Sequence, residues 1–144
     1  MKIRTVLSTK GTHAFTVGPE RTLQDAASLL TLNEVQALVV VDAGGSPVGI
    51  ISESDIVRGA AHDAAAFGRP VGEFMTSKLV VGSPDDELRS VMQTMLDRRI
   101  HHLPIVEAGR LLGLVPIGVI VKVLLEYYQG QVDTLEAQII DGPA

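Results

Sequence analysis

The chain has 144 residues, of which 46% are hydrophobic and 20% charged; that is one domain's worth of ordinary globular sequence, and it excludes a disordered or fibrous class. A net charge of −5 and a pI near 5.3 give no long-range attraction for nucleic acid, and aromatic residues at 3% with no Trp provide no stacking platform for single strands. Cysteine is absent, which removes disulfides and thiolate metal sites, and no signal-peptide pattern or membrane-length apolar run occurs, so a soluble, cytoplasmic protein that binds neither membrane nor nucleic acid is expected.

In chain order, a short lead strand is expected around Phe15 to Val17. A helix follows behind Thr22, a plausible N-cap, because Leu23, Ala26, Ala27, Leu29 and Leu30 recur at helical spacing. "ALVVV", the Gly-containing turn "DAGGSP" and "VGIIS" then predict two strands joined tightly, with a second helix starting at about Glu53. The stretch "GAAHDAAAFGRP" reads as a connector and "VGEFM" as a short helical turn. After it the same order returns: a lead strand at Leu79 to Val81, a helix carrying Leu88, Val91, Met92, Met95 and Leu96, the strands "HLPIV" and "LLGLV" around "EAGR", and a helix from about Ile117. Beyond Gly130 the helical pattern continues as a tail presenting Val132, Leu135 and Ile139. With nothing left to cover in its own chain, that tail suggests contact with a second subunit.

The chain is therefore written twice. Val35 maps onto Ile100 and Leu38 onto Leu103, whereas Gly49 maps onto Gly113, one place short of that offset; the slip falls in the turns, where length changes are best tolerated. The fold class is α/β (α+β), with two tandem β-α-β-β-α repeats packed about a pseudo-twofold axis, since a single unit leaves its sheet and helix faces uncovered. The expected divisions are repeat 1 over 12–62, linker and short helix over 63–76, repeat 2 over 77–129 and a tail helix over 130–144.

Chemistry is concentrated in "GIISESDIVR". A strand runs into Ser52 and a helix opens at Glu53, so backbone N–H groups and the positive end of the helix dipole meet Ser52, Ser54 and Asp55, where a carboxylate can also accept from vicinal ribose hydroxyls. Equally, Ser52 can be a plain N-cap and Asp55 a first-turn acid. In the second copy, "GLVPIGVIVK", Pro116 stands in the place of Ser52 and Val119 in that of Asp55.

The tandem order, together with "TVGPERTLQDAASLL", "GIISESDIVR", "VGEFMT" and "VVGSPDDELRSVMQTMLDRRIHHLPIVEAGRLLGLV", resembles the cystathionine-β-synthase (CBS) domain pair, or Bateman module, over residues 12 to 128. The resemblance implies a non-catalytic regulatory module that holds AMP, ADP, ATP, NAD(H) or S-adenosylmethionine between its repeats. Carried onto this chain, an intact nucleotide site uses Ser52, Ser54 and Asp55 with Ile100, His101 and His102 from the other copy. A second, degenerate site uses Thr22, Ala27, Val35 and Ala37 with Pro116 and Val119. Pro116 offers no N–H and Val119 leaves a ribose hydroxyl unsatisfied, so one competent and one impaired site are expected. The resemblance further implies a homodimer acting on a regulated protein in trans; the alternative is a structural dimerisation module without nucleotide.

In "RRIHHLP", Arg98, Arg99, His101 and His102 can contact phosphate across the cleft from Asp55, or simply sit favourably at a helix C-terminus. If that segment is a strand, the two histidines point to opposite faces and do not chelate one metal ion. A Ser52–His102–Asp55 triad is unfavourable, because Asp55 lies one helical turn from Ser52 and cannot orient a distant imidazole. No Walker loop, dinucleotide fingerprint or metal-binding helix motif occurs.

Overall fold

The strands "ALVVV" and "HLPIV" show no polar alternation because both of their faces are covered. The structure, a computed structural model describing residues 1–141, forms two similar halves whose sheets face each other. In the first half, β1 (Thr16–Val17) runs parallel to β2 (Ala37–Val41), and β3 (Pro47–Ser52) lies antiparallel on the other side of β2. Its helices are α2 (Leu23–Asn33) and α3 (Glu53–His62). In the second half β4 (His102–Glu107) pairs with β5 (Arg110–Pro116), flanked by α4 (Leu88–Arg98) and α5 (Ile117–Asp141). The expected second lead strand is reduced to one parallel bridge, Gly82 to Ile105.

One face of β2, Leu38 and Val40, packs with Leu23, Ala26 and Leu30 of α2 and Ile56 of α3. Its other face, Ala37 and Val39, meets Leu114 of β5 between the sheets. The second half repeats the outer layer with Leu88, Val91 and Met95 of α4, Leu103 and Ile105 of β4, and Ile120 and Leu124 of α5. Each such buried aliphatic side chain contributes about 1.5–3 kcal/mol of transfer free energy.

The halves are laced together by their leading segments. A short helix that the sequence did not announce, α1 (Ile3–Val6), buries Ile3 and Val6 in the core of the second half, not the first. Conversely, the 3-10 turn Val71–Glu73, where a short helical turn is expected, buries Val71 in the first half. Three backbone hydrogen bonds recur at equivalent places: Ile3 N to Asp86 O and Val71 N to Arg21 O; Arg4 N to Pro84 O and Gly72 N to Pro19 O; Leu88 N to Met1 O and Leu23 N to Arg69 O. After each turn the chain passes the outer strand of that same half: Thr76 bridges Ile50 of β3, and Leu114 N donates to Thr12 O. This passage explains the repeated glycine. A Cβ on Gly113 would lie 2.7 Å from Thr12 O, and one on Gly49 3.0 Å from Thr76 O.

The tail is not a separate element. α5 runs unbroken through Gly130 to Asp141, and residues 142–144 of the expected tail lie outside the described residues. No described helix is long and apolar enough to cross a membrane.

Candidate functional site

The two sheets are related so that the starts of α3 and α5 open onto one cleft. Each helix is fixed there by the same bond from its first N–H to the loop before the neighbouring strand of its own pair: Glu53 N donates to Gln36 O (3.0 Å) and Ile117 N to His101 O (2.9 Å). Those two loops, Gln36 and Arg99 to His101, line the cleft beside the helix starts, together with Thr76, Lys78, Leu79 and Val80 of the segment between the halves. The cleft holds about 680 Å3, within the range of small-ligand sites.

All six residues assigned from sequence to an intact site, Ser52, Ser54, Asp55, Ile100, His101 and His102, line this cleft. Of the set assigned to a degenerate site, Pro116 alone lines this cleft. Pro116, expected there, lines the same space as Ser52. Thr22 caps α2 and bridges Pro70; Ala27 and Val35 pack on the first core; Ala37 lies between the sheets; Val119 packs on the second core. The relation between the halves brings both strand-to-helix junctions, Ser52 to Asp55 and Pro116 to Gly118, to this cleft.

At the start of α3, Ser52 and Asp55 form a capping box. Asp55 Oδ2 accepts from Ser52 N (2.9 Å) and Ser52 Oγ (3.0 Å), Asp55 N donates to Ser52 Oγ (3.3 Å), and Arg58 Nη1 reaches Asp55 Oδ1 at 3.2 Å. Thr22 and Asp25 make the same box on α2, with Arg21 on Asp25 at 3.0 Å. The box is therefore a local folding device, and position distinguishes the two: Ser52 and Asp55 face the cleft, whereas Thr22 and Asp25 do not line it. No described side chain caps α5, where Pro116 has no donor or acceptor to offer in its side chain, and Gly118 leaves open space beside the cleft.

Charge is unevenly spread around this space. Arg58, Lys78 and Arg99 stand against Glu53 and Asp55, in a chain whose net charge is −5. Among the described residues, Lys78 and Arg99 make no ion pair. Arg99 occupies the left-handed region (φ 55°) as the C-cap of α4, as Glu34 does on α2 (φ 54°); the same turn thus carries a base at the cleft and an acid away from it. Burial, and secondarily the charge of His101, hold the His102 imidazole below its ordinary pKa. Ile50, Leu79, Val80, Ile100 and Ile117 supply apolar lining to the same cleft.

Sequence reasoning missed Arg58, Lys78, Thr76 and Ile50. Arg58 was legible in principle, one helical turn beyond Asp55. Thr76 and Lys78 depend on the linker's passage across the first half, for which the sequence carries no periodic signal.

Comparison with known proteins agrees with this geometry. The family model for the CBS domain matches twice, over residues 6–62 and 71–126. The chain belongs to the CBS domain family. It is 35% identical over 113 residues to the CBS domain-containing protein YhcV of Bacillus subtilis, an alignment covering 78% of this chain and 80% of that one. The crystal structure of the CBS-domain containing protein ATU1752 from Agrobacterium tumefaciens superposes with a TM-score of 0.79 at 34% identity, covering 84% of this chain and 91% of that one. The same fold, at 23–24% identity, occurs in the CBS domain pair of protein MJ0100 in complex with 5-methylthioadenosine and S-adenosyl-L-methionine (TM-score 0.77; 88% of this chain, 98% of that one) and in CBSX2 in complex with AMP (0.73; 88% and 98%). The two CBS repeats fit the expectation of a tandem pair, and no enzyme family is indicated for the chain as a whole.

Proposed function

We propose that the cleft holds one adenine-containing nucleotide, AMP, ADP, ATP or NAD(H), and that this CBS pair acts as a non-catalytic sensor of energy or redox state. The observation that carries the reading is that three kinds of lining meet in one cleft. Ser52 and Asp55 offer acceptors for ribose hydroxyls, Ile50, Leu79, Val80, Ile100 and Ile117 offer apolar surface for a base, and Lys78 and Arg99 offer positive charge for phosphate. A nucleotide consists of parts with those three chemistries, the ribose joining base to phosphate. The adenosine-type ligands in the MJ0100 and CBSX2 complexes support the assignment.

Asp55 already bonds Ser52 and Arg58, yet a carboxylate has about four acceptor positions, so vicinal hydroxyls can be added. Arg58 is two-thirds exposed and free to swing from Asp55 to a phosphate as ribose arrives. A ligand touching both halves favours one angle between them, which a homodimer reports to a regulated protein supplied in trans. This requires the ligand to bind one arrangement better than the other. In this reading Pro116 borders the same ligand as Ser52, and no second site built on Thr22, Ala27, Val35, Ala37 and Val119 is required.

One observation favours the alternative of a structural dimerisation module: the Asp55 carboxylate is fully explained as a capping group. A thermal-shift panel of AMP, ATP, NADH and S-adenosylmethionine separates the two. A true ligand at about a hundred times its Kd stabilises by roughly 2.7 kcal/mol, and no shift with any of them favours the structural module.

A further inference from the structure

From Val121 onward, α5 carries an apolar stripe that the chain itself does not cover. Up to Leu124 the helix buries one face, Ile120 and Leu124, against its own body. Continued at helical spacing, that face becomes Tyr127, Gln131, Thr134 and Gln138, and the packing ends. A different stripe takes over: Val121, Leu125, Tyr128, Val132, Leu135 and Ile139, separated by four, three, four, three and four residues. All six are exposed, Leu125 at 65%, Leu135 at 58% and Ile139 at 80%. The alternation of three and four is the seam of a two-helix coiled coil. A projecting helix of this length is marginal in water unless such a face is covered.

We propose that this stripe pairs antiparallel with the same helix of a second copy, in a register centred on Gly130. Reversing the stripe about that residue sets Val121 against Ile139, Leu125 against Leu135 and Tyr128 against Val132, so every seam position meets an apolar partner. It also brings Lys122 of one copy near Glu136 of the other, twice by symmetry, with Gln129 and Gln131 each facing its own counterpart. In a parallel pair Glu136 would meet Gln131, and Lys122 would have no acid within reach. Antiparallel pairing further puts the two CBS bodies at opposite ends of a bundle about 28 Å long, where they do not collide. Self-complementarity of both the apolar and the charged positions selects a second copy of this chain over an unrelated partner.

The proposal rests on the dimeric reading above and is independent of whether nucleotide binds. The chain contains no cysteine, which permits a direct test on the 144-residue chain. In the antiparallel register the two copies of position 125 are about 15 Å apart along the helix axis, whereas 125 and 135 are adjacent. Under mild oxidation, Leu125→Cys alone and Leu135→Cys alone therefore stay uncross-linked, and an equal mixture gives a covalent dimer. Cross-linking by each variant alone overturns the register in favour of a parallel pair. Sedimentation of the unmodified chain is expected to show a dimer and of Leu135→Asp a monomer with an unchanged core unfolding transition. A wild-type monomer overturns both the dimer and this register; a dimer insensitive to Leu135→Asp overturns the register alone. Lys122→Glu and Glu136→Lys each weaken association, and the double variant restores it.

Discussion

The starts of α3 and α5 occupy equivalent places, are anchored by equivalent bonds to Gln36 and His101, and open onto the same cleft, yet they present opposite chemistry. Ser-Glu-Ser-Asp begins one and Pro-Ile-Gly-Val the other. The loops that anchor them differ in the same sense: Glu34 and Gln36 precede β2, whereas Arg99 and His101 precede β4. Duplication supplied the frame, and divergence made one half a source of acceptors and the other a source of positive charge. The cleft they share is therefore chemically asymmetric although its frame is symmetric.

The largest effects should fall on what the halves share. Ile3 and Val71 are fully buried in the half to which they do not belong in sequence. Ile3→Ala should cost about 2–5 kcal/mol and Val71→Ala somewhat less, measured by urea unfolding. Each should loosen the other half as well, giving one cooperative transition; separate transitions of the two halves would break the picture of laced units.

Next comes the difference between the helix starts. Asp55→Asn retains an oxygen that accepts from the Ser52 N–H while removing the charge. It should weaken nucleotide binding about ten- to a hundred-fold, corresponding to 1.5–3 kcal/mol for a charge-assisted hydrogen bond, with a smaller effect on stability. In the converse direction, Pro116→Ser with Val119→Asp rebuilds the capping box on α5 and should add about 1 kcal/mol of stability. Because both junctions share one cleft, the rebuilt chain should still bind one nucleotide in calorimetric titration. A stoichiometry of two would show that two separate sites exist.

How much of this was legible in sequence varies with the physical signal. The repeat, the four main helices and the paired strands were, because each rests on apolar periodicity; Ser52 and Asp55 were, because a strand ending in a capping residue has a local signature. The exchange of leading segments was not: "IRTV" is four residues long, and nothing in it states which core it enters. That Pro116 lines the same cleft as Ser52 was not legible for the same reason. Pro116 was assigned by its place in a repeat, whereas its neighbours are decided by the relation between repeats.

The smallest expected effect concerns His102, which the second half places where the first has Ala37. Burial lowers its pKa from the ordinary 6.5, so the unfolded chain takes up a proton before the folded one does. The stability it contributes is complete above about pH 6.5 and is lost as pH falls through the lowered value. Other groups facing it are His101, whose charge acts in the same direction, and across the cleft Asp55 and Glu53. His102→Gln should flatten the acid limb of the unfolding midpoint against pH. A bound phosphate should raise the His102 pKa, which ring-proton chemical shifts would follow.

The central claim is that one asymmetric cleft binds one nucleotide through Asp55. Calorimetric titration of AMP into the wild-type chain and into Asp55→Asn tests it most directly. The account predicts a stoichiometry of one per chain, with affinity reduced at least ten-fold in the variant; two equal sites, or binding indifferent to Asp55, would contradict it.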